Sequence, residues 1–156
     1  MKFFLDIDGV MVHGNPHKCV EMEADGFYKF SAIAVEILKS LIYKTKDELI
    51  LSTTHRFRFD IKQWKEIFKN RGLFAKNVSI VNLPLDNKWT RKMEIQYWID
   101  EHNLLPEDLV IIDDDKSLND LPDGLKKRLV LTNSYIGLNN AEDLSKVLNR
   151  RPIKKI

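Results

Sequence analysis

"FFLDIDGV", residues 3–10, is an apolar run that ends in two carboxylates, Asp6 and Asp8, and then a glycine. Phe3, Phe4 and Leu5 form the continuous hydrophobic pattern of a strand covered on both faces. Residues two apart on an extended chain point to the same side, so Asp6 and Asp8 face one pocket while Ile7 packs inward and Gly9 lets the chain turn away. Two carboxylates held at ~4 Å repel by about 4 kcal/mol at an effective dielectric near 20, so a positive group is expected between them.

Strand-like and helix-like segments alternate from this stretch to the end of the chain. The strand candidates are Lys2–Ile7, Glu48–Leu51, Val78–Val81, Leu109–Ile112 and Arg128–Leu131. The helix candidates are Ser31–Tyr43, with Ile33, Ile37, Leu38 and Leu41 at helical spacing, then Asp60–Asn70, Arg91–His102 and Ala141–Leu148. Asn140 is placed to cap the last helix and Gly72 to stop the second, while residues 11–30 look irregular or hairpin-like. The alternation predicts an α/β domain, a Rossmann-like three-layer fold with a central parallel sheet. Three strands run into polar clusters: Asp6 and Asp8; Ser52, Thr53 and Thr54; Asp113, Asp114 and Asp115. In open parallel sheets ligands bind beyond the carboxyl ends of the strands, so these clusters are expected to converge.

Several carboxylates around one pocket call for a hard cation such as Mg²⁺, which takes oxygen ligands and whose shell a phosphate can complete. One Asp is then suited to attack phosphorus, and a second to serve as general acid and base. The composition does not oppose this. With 156 residues and 44% hydrophobic content the chain suits a single core, expected over residues 1–149 with a basic tail at 150–156. A net charge of +2 does not announce a nucleic-acid binder, so any such role rests on local patches. The single cysteine, Cys19, excludes an internal disulfide, and with no signal-like or membrane-length apolar stretch the expected location is cytoplasmic.

The order D-I-D-G-V at the first strand, Ser after L-I-L, a Lys opening a helix, and I-I-D-D-D at the fourth strand resembles the haloacid dehalogenase (HAD) superfamily. L-S-T-T-H-R, the K-M-E-I helix start and L-V-L-T-N-S-Y-I-G-L are most similar to HAD domains of Swiss Army Knife RNA-repair proteins. The resemblance implies that Asp6 is the nucleophile, forming an aspartyl-phosphate, and that Asp8 is the general acid/base and offers its carbonyl to the metal. It further implies that Ser52, with Thr53 as a substitute, binds phosphate, and that Asp113 and Asp114 complete Mg²⁺ coordination, with Asp115 outside. Lys92 is the favoured motif lysine, and Lys88 the alternative. The implied activity is that of a Mg²⁺-dependent phosphomonoesterase, with nucleic-acid ends, RNA or DNA, as the substrate class. The alternatives are a small-metabolite phosphatase or a non-catalytic binding module.

The chain departs from common members in lacking G-D-x-x-x-D and in having D-G-V where D-G-T is frequent. Only 43 residues separate Asp8 from Ser52 and 39 separate Ser52 from Lys92, which leaves no room for a cap domain. A calcium-loop reading fails at Val10 and Met11, and a phosphorelay receiver would place its acidic pair on the first strand and its phosphoacceptor later. His13, His17 and Cys19 lack a fourth ligand for zinc and read as a solvated flap. Tyr97 and Trp98 fall within a helix and are expected to pack against its neighbours. His55 and Arg56, just past Ser52, are candidates to touch substrate, with a surface ion pair the alternative for Arg56. Lys88, Trp89 and Arg91 are expected to border the site with Arg56, where cations and an aromatic suit a nucleotide chain.

Overall fold

The computed structural model describes residues 1–84 and 88–152. Strands β1 (Lys2–Leu5), β2 (Glu48–Leu51), β3 (Asn77–Ile80), β4 (Leu109–Asp113) and β5 (Leu129–Leu131) form one sheet in the order β3-β2-β1-β4-β5. Every pairing is parallel, with Lys2 of β1 opposite Glu48 on one side and Leu109 on the other. Helices α1 (Ala32–Leu41), α2 (Ile61–Asn70), α3 (Arg91–Glu101), α4 (Asp123–Lys126) and α5 (Glu142–Leu148) complete the α/β architecture. Among the described residues no cap domain interrupts it. After β3 the chain crosses by way of α3 to the far side of β1, so the direction of the connections reverses between β1 and β4.

Strand alternation sorts the core into two layers. Phe3, Leu5, Leu49, Leu51, Val110 and Ile112 pack with Ile37 and Leu38 of α1, Trp64 of α2 and Leu144 of α5. Phe4, Ile50, Leu109 and Ile111 pack on the opposite face with Ile95 and Ile99 of α3. Carrying the same alternation to the last residue of β4 and one step past β1 and β2 places Asp113, Asp6 and Ser52 on the α3 face.

The predicted strands and helices lie where expected, with ends shifted by one or two residues, and the short α4 is not among those expected. β1 stops at Leu5 rather than Ile7, because the amides of Val10, Met11 and Val12 all turn back to the Ile7 carbonyl. In α1 the buried stripe is Ala34, Ile37, Leu38 and Leu41, whereas Ile33, expected inside, is exposed. The Ser31 side chain caps α1, and an Asp60–Gln63 capping box opens α2. Gly72, at a φ of 78° that suits glycine, follows the end of α2. Asn140 does accept the Glu142 amide, at 2.7 Å.

Residues 21–29 form a short hairpin, with Met22 paired antiparallel to Tyr28. Its turn is tied to the domain by Asp25, whose carboxylate accepts from Arg71 Nη1 at 2.6 Å and Nη2 at 3.0 Å. These bonds hold the Asp25 carboxyl well below the ordinary carboxylate range. Phe27 is fully buried, edge-on to Trp64 and Phe59. At the other terminus Arg150, assigned from sequence to the tail, donates to Asp47 Oδ1 (3.0 Å) and the Leu41 carbonyl (2.9 Å) and stacks on Tyr43. Residues 153–156, part of the expected tail, lie outside the described residues. Among the described residues no helix is long and apolar enough to cross a membrane.

Candidate active site

The switch point between β1 and β4 brings the predicted carboxylates together. One oxygen from each of Asp6, Asp113 and Asp114 lies within 4.8 Å of the others. Asp6 is fixed by its own amide donating to the Ile112 carbonyl (3.1 Å) and by the Ile7 amide donating to its Oδ1 (2.8 Å). Asp113 ends β4 fully buried, its Oδ1 accepting from the Asp115 amide at 3.0 Å. Asp113 Oδ2 and Ser52 Oγ are buried and have no hydrogen-bond partner among the described residues.

Burial, then the neighbouring Asp113, pushes the Asp6 carboxyl up to about 9, against the pull of Arg91 and the Ile7 amide. Burial likewise raises Asp113 to about 6, with Arg91 opposing. The cluster is therefore short of positive charge. Three converging carboxylates, one with an orphaned buried oxygen, form an all-oxygen donor set that fits a hard divalent cation.

Arg91, expected only on the bordering surface, is instead inside the cluster. It is the first residue of α3, after the capping Thr90, and its Nη1 lies 3.7 Å from both Asp6 Oδ1 and Asp113 Oδ2 and donates to the Ser52 carbonyl. Burial alone would lower the Arg91 pKa, but Asp113 and Asp6 outweigh it and raise the value. A signal for this was present in the sequence: the first turn of a helix disfavours cations, so adjacent Arg91 and Lys92 there imply anions facing them. Lys92, the favoured motif lysine, is half-buried in the same turn, its amide donating to Ser117 Oγ at 3.3 Å. Among the described residues, the cluster's ion pairs with α3 are those of Arg91.

Gly9 makes room for the acidic pair. Its φ is 78°, and a Cβ there would stand 2.0 Å from Asp114 Oδ2, so no other residue fits without displacing that carboxylate. Asp8 leaves the cluster: its half-exposed side chain turns to His55, with Oδ2 2.8 Å from Nε2.

The remaining predicted residues divide. Thr53 is buried and caps the following turn, its Oγ1 accepting the His55 amide at 3.2 Å, which leaves Ser52 as the hydroxyl without a partner. Asp115 accepts the Ser117 amide at 2.8 Å and holds the turn after β4. Arg56, expected beside substrate or in a surface ion pair, is buried as a strut. It donates from Nε to the Val81 carbonyl (2.8 Å) and from Nη1 to the Thr53 carbonyl (3.0 Å), and pairs with Glu94 at 3.0 Å. Lys88 is exposed. Trp89 is half-buried, edge-on to Tyr97, and borders an open cleft of about 430 Å³ with Phe57, Leu83 and Pro84.

Residues 3–142 match the family model described as the HAD domain in Swiss Army Knife RNA repair proteins. The chain belongs to that family. It is accordingly a HAD-type phosphohydrolase. Among solved structures it is similar to the cobalt-bound deoxy-D-mannose-octulosonate 8-phosphate phosphatase of Haemophilus influenzae. The identity is 14%, over 95% of this chain and 88% of that one, with a TM-score of 0.45. No curated protein matches the chain.

Proposed function

We propose that this HAD domain is a Mg²⁺-dependent phosphomonoesterase that works through an aspartyl-phosphate on Asp6 and acts on the end phosphates of nucleic acids. The observation that carries the reading is the gathering of Asp6, Asp113 and Asp114 beside a buried, unpartnered Ser52 Oγ on one face of the sheet. Asp6 attacks phosphorus and the ester P–O bond breaks. Asp8 gives its proton to the departing oxygen, then takes one from the water that cleaves the acyl phosphate and frees Asp6. Ser52 Oγ–H and the cations Arg91 and Lys92 receive the phosphoryl oxygens. Mg²⁺ would be held by Asp6, Asp113, Asp114 and the Asp8 carbonyl, and when bound would supply the positive charge that lets an anionic carboxylate meet an anionic phosphate.

The two cations are separable by mutation. Arg91→Ala is expected to lower kcat/KM by roughly 10²–10³, the usual cost of losing one preorganised donor to a developing oxyanion. Lys92→Ala should cost as much only if both cations reach the phosphoryl group. Steady-state kinetics on an aryl phosphate, run for both variants, shows which cation dominates. Arg91→Ala activity within about twofold of wild type would remove Arg91 from the mechanism.

An open site with no cap has few walls for a small metabolite, so binding energy has to come from surfaces beside it. Lys88, Trp89 and the exposed Phe57 offer such a surface, and base stacking on an aromatic is worth about 1–3 kcal/mol. The test is a panel of end-phosphorylated RNA and DNA, nucleotides, sugar phosphates and phosphopeptides, assayed with Mg²⁺ and with EDTA. Oligonucleotides are expected to lead in kcat/KM, with Trp89→Ala and added salt eroding that lead and EDTA abolishing turnover. A sugar phosphate in first place, with no salt dependence, would leave the phosphatase assignment and discard the nucleic-acid substrate.

A further inference from the structure

His55 stands three residues past Ser52, in the 3₁₀ turn Thr54–Phe57. Both ring nitrogens are engaged: Nε2 lies 2.8 Å from Asp8 Oδ2, and Nδ1 lies 3.2 Å from Arg58 Nη1. A guanidinium offers only donors, so Nδ1 must be the acceptor. Nε2 then carries a proton, and that proton is given to Asp8. Phe27 meets the ring edge to face at 5.5 Å and 74°, and Tyr28 at 5.3 Å and 86°. Both belong to the hairpin anchored by Asp25 and Arg71. The ring thus has a fixed tautomer and a fixed plane, whereas Asp8 lies on a half-exposed turn and takes its side-chain direction from the bond to His55.

Taking the general-acid role of Asp8 as its premise, we infer that His55 is the positioning residue for Asp8 and divides the work of its two oxygens. Oδ2 is occupied as the acceptor from Nε2–H. The transferable proton is left to Oδ1, the oxygen free to face the departing group. The hairpin 21–29 contributes by holding the ring with Phe27 and Tyr28, so a segment outside the sheet takes part in orienting the acid. Neither D-I-D-G-V nor I-I-D-D-D supplies this orientation.

A positioning role predicts a dependence on the leaving group that a loss of fold does not. With an alkyl phosphate, whose departing oxygen needs a proton, His55→Ala should lower kcat by roughly 10–100-fold with KM nearly unchanged. With p-nitrophenyl phosphate, whose leaving group departs as an anion, the burst rate of the first turnover should fall by under about threefold, while the steady state, limited by Asp8 acting as base, stays slow. His55→Gln, which keeps an N–H donor at the end of the side chain, should recover most of the alkyl phosphate rate. Long-range ¹H–¹⁵N spectra of the wild-type protein should show the His55 proton on Nε2 and Nδ1 as the acceptor, a reading that needs no variant and no turnover. Equal losses of the first-step rate on both esters, no rescue by Gln, or an Nδ1–H ring would each overturn the inference. A wild-type protein inert on every ester would overturn the phosphatase reading and this role with it. An active protein indifferent to His55 would overturn this role alone.

Discussion

Asp6→Asn is expected to abolish turnover and, in EDTA, to leave a protein more heat-stable than wild type at about pH 7–9. The first half follows from chemistry, because an amide is too poor a nucleophile to form the acyl phosphate. The second follows from the cost of the native group. In the metal-free fold, burial and Asp113 raise the Asp6 carboxyl to about 9 from an ordinary 3.8. The folded state therefore holds a proton that the unfolded chain has released. Stability from this group is complete below about pH 4, declines as the pH climbs, and is lost once the pH passes about 9. Asn removes that decline. The difference in Tm between variant and wild type should thus widen from about pH 4 to pH 9, at about 2–4 °C per kcal/mol for a domain of this size. Differential scanning fluorimetry across pH, paired with a phosphatase assay, checks both halves. A tenth of wild-type activity in the variant would refute the covalent mechanism, and a variant less stable than wild type at about pH 8 would refute the charge argument.

Asp8→Asn is expected to slow both formation and hydrolysis of the aspartyl-phosphate, by on the order of 10²–10⁴ with a poor leaving group. Phosphate binding should survive, since the Asp8 side chain stands apart from the Asp6, Asp113 and Asp114 cluster. An activated leaving group should restore the first step but not the second, so p-nitrophenol should appear as a burst followed by slow turnover. Rapid-quench measurement of burst and steady state separates the two steps. Equal losses of the first-step rate on poor and activated leaving groups would reduce Asp8 to a structural or metal-binding part.

Much of the fold and the centre of the site is legible in the sequence, for identifiable reasons. Strands covered on both faces leave uninterrupted apolar runs, so β1, β2 and β4 announce themselves, and their polar ends mark where Asp6, Ser52 and Asp113 gather. What is not legible depends on contacts across the fold. Arg56 reads as a surface cation until the Val81 carbonyl and Glu94 are known to surround it. Ile33 fits the helical period, yet the rotation of α1 on the sheet buries Ala34 in its place. Thr53 and Ser52 have nearly the same chemistry, and only the turn geometry assigns one to capping and leaves the other unpartnered. Asp8 shares the strand parity of Asp6, but the turn that begins at Ile7 carries its side chain to His55 instead.

The sheet order β3-β2-β1-β4-β5 also sets the sequence in which the site is assembled. The central strand takes its second neighbour, β4, only after β2, β3 and α3 have left the chain's growing end, so a nascent fragment carries Asp6 with no second carboxylate to oppose it. Arg91, at the head of α3, precedes Asp113 in the chain and borders both. The counter-charge is thus synthesised before the repulsion it offsets, and the arrival of β4 pairs the central strand on its second side as it completes the carboxylate cluster, before β5 is added at the edge.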